Sequence, residues 1–190
     1  GVQSTNPDTV KEIHRTMDFE KVSANVRAVQ KNGNVHQHLD LIAGLPHENL
    51  NSFHRSFNDV YALHPEQLQL GFLKVLKGSY MQEHQAEYGL VVKNVPPYEV
   101  LYTDWLPYDD VLRLKGIEEM VEVYYNSGQF TQTMPELEKY FKDPFIMYAD
   151  MAAYYDKNEY FKMNHKRAAR YEILLDFVKE YAPEQMDVVR

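Results

Sequence analysis

The stretch LDLIAGLP, residues 39–46, reads as a strand leading into a turn. Leu39, Leu41, Ile42 and Ala43 form a short apolar run, and Gly44-Leu45-Pro46 closes it. Asp40 is the exception. An ionised carboxylate is costly to bury unless something pairs with it. Its place in this run predicts a partner inside the chain or a ligand at the strand end.

Working outward, the flanking pattern is regular. Asn6 suits a helix N-cap, Pro7 the first helical position and Asp8 the positive helix end, for a short helix to about His14. A second start lies near Asp18. Phe19, Val22, Val26 and Val29 follow at helical spacing until Asn32-Gly33. A strand is expected over Val35–Ile42, then a helix over about 49–63 with Leu50, Phe53, Phe57 and Val60 on one face. Pro65 ends that helix, and a further strand is expected over Gln67–Val75. Strand end, helix, strand, helix and strand with short loops is the rhythm of a parallel sheet or barrel. The fold class expected is therefore α/β, a partial (β/α) barrel over residues 1–94.

Residues 95–190 read as a mainly α-helical extension. Two short β-like pieces, Leu90–Lys93 and Tyr98–Tyr102, lie at the junction. From Pro107 the pattern turns helical: Val111, Leu114, Ile117, Val121 and Tyr124 mark a long face closed by Asn126-Ser127-Gly128. Further helix starts fall at Thr133/Pro135 and Asp143-Pro144, and a last helix runs from about His165 to Tyr181. The tyrosines at 124, 125, 148, 154, 155, 160 and 171 suit either helix packing or an aromatic binding surface.

Composition narrows the function. The 190 residues are 44% hydrophobic and 25% charged, values of a globular protein. The net charge of −8 and the scattered basic residues exclude a nucleic-acid footprint. No apolar run is long enough for a membrane span, and no secretory signal is visible. With no cysteine, disulfides, thiolate metal sites and Cys nucleophiles are ruled out for this chain, and a cytoplasmic protein is expected. The chain opens at Gly1-Val2-Gln3 on what reads as the end of a strand, so it is expected to be the C-terminal part of a longer protein.

Several residues are candidates for chemistry. Strand alternation would place His36, His38 and Asp40 on one face, a set that invites a metal site of the hydrolase kind. Asp40 lies near the C-terminal strand end, where βα barrels hold their active sites. Gln3, at a strand end, has an amide that can grip a hydroxyl or carboxylate. Arg15, at a break between helices, has a fork suited to a carboxylate. Lys74 and Lys77 flank the end of the third strand. No P-loop, G-x-G-x-x-G, H-E-x-x-H or G-x-S-x-G is present.

The stretches GVQSTNPDTVKEIHR, HLDLIAGLPHE and LQLGFLKVLKGS resemble the second half of a radical S-adenosylmethionine (SAM) enzyme barrel. The similarity is to the oxygen-independent coproporphyrinogen oxidases and to the anaerobic magnesium-protoporphyrin ester cyclase group. Members of the latter are Fe–S oxidoreductases that often carry a cobalamin-binding domain. In this resemblance, which covers about residues 1–85, Gly1–Ser4 ends barrel strand four, and 35–42 and 67–75 are strands five and six. Gln3, Arg15 and Asp40 match in spacing three residues that contact SAM in the coproporphyrinogen oxidase branch, and Ile42 would meet the adenine. The family's Cys-x3-Cys-x2-Cys loop for the [4Fe–4S] cluster is absent, and His47 stands where members usually have Gly.

The resemblance implies a fragment of a radical SAM iron–sulfur oxidoreductase with SAM as cofactor. The [4Fe–4S] cluster, and cobalamin if used, would belong to the parent only. The partners implied are a small-molecule substrate and the missing N-terminal half of the barrel, with self-association of the fragment a further option and neither nucleic acid nor membrane. The fragment alone would be inactive and bind SAM weakly or not at all. Residues 95–190 resemble the helical extension of some cobalamin-linked members, a region suited to shaping substrate access. The competing readings are a metal-dependent hydrolase fragment using His36, His38 and Asp40, and a non-catalytic helical interaction module.

Overall fold

A computed structural model describes residues 1–183. The architecture is mixed α/β, with helices predominating and two small sheets. The described residues form no closed barrel. Contacts divide the chain into two compact units, Gly1–Lys115 and Gly116–Arg190. The boundary expected after residue 94 falls inside the first unit.

In the first unit, α1 (Pro7–Glu12) and α2 (Phe19–Gln30) are capped by Asn6 and Asp18, whose side chains accept from the Asp8 and Lys21 amides. Each cap satisfies a helix-end N–H that has no partner within its helix. β1 (His38–Ala43) and β2 (Gln67–Phe72) pair in parallel, Leu39 opposite Leu68 and Leu41 opposite Leu70. Leu39, Leu41, Ala43, Leu68, Leu70 and Phe72 are buried, while Asp40, Ile42, Gln67 and Gly71 are partly open and His38 and Gln69 exposed. Period-two alternation thus gives the sheet one apolar face and one mixed face.

Between the strands runs α3 (Leu50–Tyr61), opened by a reciprocal cap between Asn49 and Ser52. It buries Phe53, Phe57, Val60 and Tyr61. The other edge of β1 is taken by residue 3: the Gln3 amide donates to the Asp40 carbonyl at 2.8 Å, and the Ile42 amide to the Gln3 carbonyl at 2.9 Å. Gln3 and β2 therefore flank β1, both parallel to it. After a short α4 (Tyr80–Glu83), β3 (Val91–Val92) and β4 (Val100–Tyr102) form an antiparallel pair, which a Lys74–Glu99 bridge joins to the chain beyond β2.

α5 (Tyr108–Val121) runs into a π-helical turn, Glu122–Asn126. The second unit then holds α6 (Thr133–Glu138), α7 (Pro144–Lys157) and α8 (Arg167–Tyr181). Gly116 permits close approach, since a Cβ there would lie 3.1 Å from the Ala152 Cβ. Tyr124, Tyr148, Tyr154 and Tyr155 are buried. The Tyr124 and Tyr155 hydroxyls meet at 2.7 Å, and Tyr124 donates to the Arg170 carbonyl. Among the two readings of the tyrosines, these four serve packing.

The strand expected from Val35 begins only at His38. Residues 35–37 carry exposed or half-exposed side chains, and Gln37 is held instead by the Glu66 carboxylate on its backbone amide. With no apolar face to bury, that segment gains nothing from joining the ladder.

Leu41 is fully buried between two parallel neighbours. Leu41→Ala is expected to destabilise the first unit by roughly 2–5 kcal/mol. Trp105, the sole tryptophan, lies in that unit, so its emission during urea unfolding reads the loss. A cost under about 1 kcal/mol would mean the site collapses freely and is not a tight core.

Candidate functional site

The mixed face of β1 ends at the loop Gly44–Glu48, and the candidate site is built around that end. Asp40 finds a partner in the chain: its Oδ1 accepts from the Val2 amide at 2.8 Å. The Gly1 backbone lies so close that a Cβ there would stand 2.4 Å from the same oxygen. The Asp40 side chain keeps 31% of its surface open. Gln3 is in register with Leu41, one position beyond Asp40, and its φ of +69° breaks the strand alternation at that point. Arg15 is exposed, and its Nη2 donates to the Gly1 carbonyl at 3.0 Å. Ile42 is partly open and stands opposite Gly71, which covers nothing on that flank. Gln3, Arg15 and Asp40 are thus linked through the backbone of residues 1–3. Lys74 and Lys77 are both exposed.

The metal set does not assemble. His36 lies outside β1, so strand alternation cannot put it on the Asp40 face. The two imidazoles instead pack edge-on, with ring centroids 4.7 Å apart. Among the described residues no group of three His, Asp or Glu side chains comes together as a metal site.

Sequence reasoning missed two polar clusters at this strand end. The first is buried. Glu48 is 1% exposed, and one of its oxygens, Oε2, has no hydrogen-bond partner among the described residues. Ser56 Oγ donates to Oε1 at 3.3 Å while accepting from the Thr5 amide. Desolvation raises the Glu48 carboxyl to about 7, against the opposing hydrogen bonds of Ser4, Ser56 and Ser52. The GLPHE run carried the only signal, a carboxylate two residues after the turn proline.

The second cluster is partly exposed. Asn6, Thr9 and Glu12 recur every three residues along α1, and all three engage one loop. The Asn6 amide donates to the His47 carbonyl, Thr9 Oγ1 donates to the Pro46 carbonyl, and Glu12 Oε2 lies 3.7 Å from His47 Nε2. The other Glu12 oxygen accepts from the Tyr88 hydroxyl and, at 3.5 Å, from Tyr80. The His47 ring leans on Trp105, centroids 4.6 Å apart. The Tyr88 hydrogen bond foremost, with His47 and His14 nearby, holds the Glu12 carboxyl below the usual carboxylate range despite some desolvation. Burial, then Glu12, raises the Tyr88 phenol.

The chain belongs to the family described as "Protein of unknown function (DUF4080)", whose model matches residues 86–190, more than half of the sequence. Among curated proteins none matches it. The matched region includes Tyr88 and Trp105 of the second cluster. No helix among the described residues is long and apolar enough to cross a membrane.

Two measurements check these clusters. The folded state holds the Glu48 proton more tightly than the unfolded chain does. Its contribution to stability therefore falls as pH rises from about 4.5 to about 7. Glu48→Gln is expected to remove that slope, stabilising the first unit by up to about 3 kcal/mol at pH 8 and by little at pH 4. Urea unfolding at the two pH values reads it; a variant as pH-dependent as the wild type would refute the assignment. Separately, Tyr88→Phe is expected to move the Glu12 carboxyl midpoint upward, as followed by carbon NMR, and an unmoved midpoint would show that the phenol does not govern it.

Proposed function

We propose that this chain is part of a radical SAM iron–sulfur oxidoreductase, in which residues 1–94 contribute the last units of a (β/α) barrel and the helical remainder shapes access for a small-molecule substrate. The observation that carries the reading is the parallel pairing of Gln3 with β1. It sets an amide residue and the Asp40 carboxylate side by side at adjacent strand positions, with the Arg15 guanidinium bonded to the same short segment. This is the neighbourhood that the matched spacing of Gln3, Arg15 and Asp40 calls for.

The residues present fit SAM. Asp40 has an accessible carboxylate with acceptor capacity beyond its Val2 bond, suited to hydroxyls or an ammonium group. Ile42 beside Gly71 offers a flat apolar patch for an adenine ring. Gln3 and Arg15 add donors. A few placed polar groups beside an apolar wall is the usual composition of a cofactor site. SAM supplies hydrogen-atom abstraction when bound and reduced; the protein binds and orients it. The residues do not fit a [4Fe–4S] cluster, for the chain has no cysteine. On this reading the cluster ligands, and any cobalamin, belong to other parts of the enzyme.

Half of a SAM site binds weakly. Titrating SAM into the labelled chain is expected to give a Kd on the order of 1 mM. Amide shifts should concentrate at Gln3, Arg15, Asp40 and Ile42 and vanish in Asp40→Ala. Shifts concentrated elsewhere, or a Kd in the micromolar range, would overturn the reading.

A further inference from the structure

His47 adopts φ +60°, the left-handed region that a non-glycine residue enters at a cost. Three contacts hold it there: Asn6 on its carbonyl, Glu12 beside its Nε2 and Trp105 against its ring. Strain maintained by such over-determined surroundings gathers at working sites. The imidazole so fixed is not buried; 41% of its side-chain surface is open, and Glu12 stands on its Nε2 side, which leaves the Nδ1 side to meet a ligand. Its surroundings come from several segments. Glu12 lies on α1 and is backed by the Tyr80 and Tyr88 hydroxyls, while Tyr88 and Trp105 come from the region matched by the family. His14 and His84 pack on the Tyr80 ring, and Tyr88 lies near Trp105.

We propose that His47 is a proton acceptor for a ligand bound at the C-terminal end of β1, with Glu12 as the positioning residue behind it. The step balances simply. A proton leaves an O–H or N–H of the ligand and bonds to His47 Nδ1, the ligand keeps the electron pair as an anion, and the imidazole becomes imidazolium. Glu12, ionised and 3.7 Å from Nε2, offsets that new positive charge. At that distance the contact is through space and not a hydrogen bond. Tyr88 and Tyr80 occupy the other Glu12 oxygen, which leaves Oε2 turned to the imidazole. The pattern is a carboxylate behind a histidine, whose value lies in stabilising the charged ring. The Trp105 ring beside the imidazole suits a neutral small molecule that carries an acidic O–H or N–H on an apolar or aromatic frame. The proposal goes beyond the SAM reading and stands without it.

The same nitrogen lone pair attacks acylating reagents, so diethyl pyrocarbonate is the probe, with each histidine followed by peptide mass spectrometry. Rates are compared at one pH, the same for every histidine and every variant. His47 is expected to react several-fold faster than His36 and His38, which are also exposed. Glu12→Gln keeps the shape and an acceptor oxygen for Tyr88 but removes the charge. It should slow His47 by roughly five- to tenfold, the factor for a unit charge at this distance in a near-aqueous medium, and leave His36 and His38 unchanged. His47→Gly, which relieves the strained φ, identifies the adduct by its loss. If His47 reacts no faster than His36 and His38, or Glu12→Gln leaves its rate intact, the proposal fails. The wild-type comparison decides alone if Glu12→Gln does not fold.

Discussion

β1 is hydrogen-bonded along both edges, and the first unit is organised around that pairing. Gln3 takes one edge and β2 the other, each in parallel. Two parallel neighbours fix the register of β1 to the residue. A slip by one position would carry Leu39, Leu41 and Ala43 to the mixed face and Asp40 into the core. The backbone register, more than any side-chain contact, decides that Asp40 is presented and not entombed. It also decides where α1 begins, since the chain leaves residue 3 at the same end of the sheet where β1 gives way to its loop.

That end is where the polar groups gather, and they do so in two layers. Beneath the surface, Glu48 joins Ser4, Ser52 and Ser56, tying the exit of the first strand to the start of α3. Above it, one face of α1 grips Pro46 and His47 through Asn6, Thr9 and Glu12. Among the described residues the buried layer leaves one carboxylate oxygen without a partner, which an ordinary structural network avoids. The open layer holds a strained histidine. Both depart from what folding alone favours, and both lie beside the strand residues proposed to contact SAM. Tyr88 and Trp105 bring the family-matched region into the open layer.

Much of the local structure was legible in the sequence. Asn6, Asp18 and Asp143 act as caps, because short polar side chains before an apolar period have few other uses. Phe53, Phe57 and Val60 mark the buried face of α3, and the Leu68-Leu70-Phe72 alternation marks β2. Val35 misled because β-branching suits a strand only where a surface exists to bury it, and it is half exposed here. His36, His38 and Asp40 do not gather as a metal set among the described residues, because the strand begins only at His38. The clusters of Glu12 and Glu48 were not legible at all. Their members are separated by up to 99 residues, from Asn6 to Trp105, and no periodicity connects them. Only the tertiary contact between α1 and the loop after β1 brings them together.

Nuclear Overhauser contacts across β1 test the account most directly. If the parallel pairing holds in solution, the Gln3 amide proton lies near the Leu41 α-proton, and the Gln3 and Ile42 amides exchange with solvent as slowly as those of the β1–β2 ladder. Absence of that cross-peak, with both amides exchanging at the rate of an open chain, would contradict the register on which the site depends.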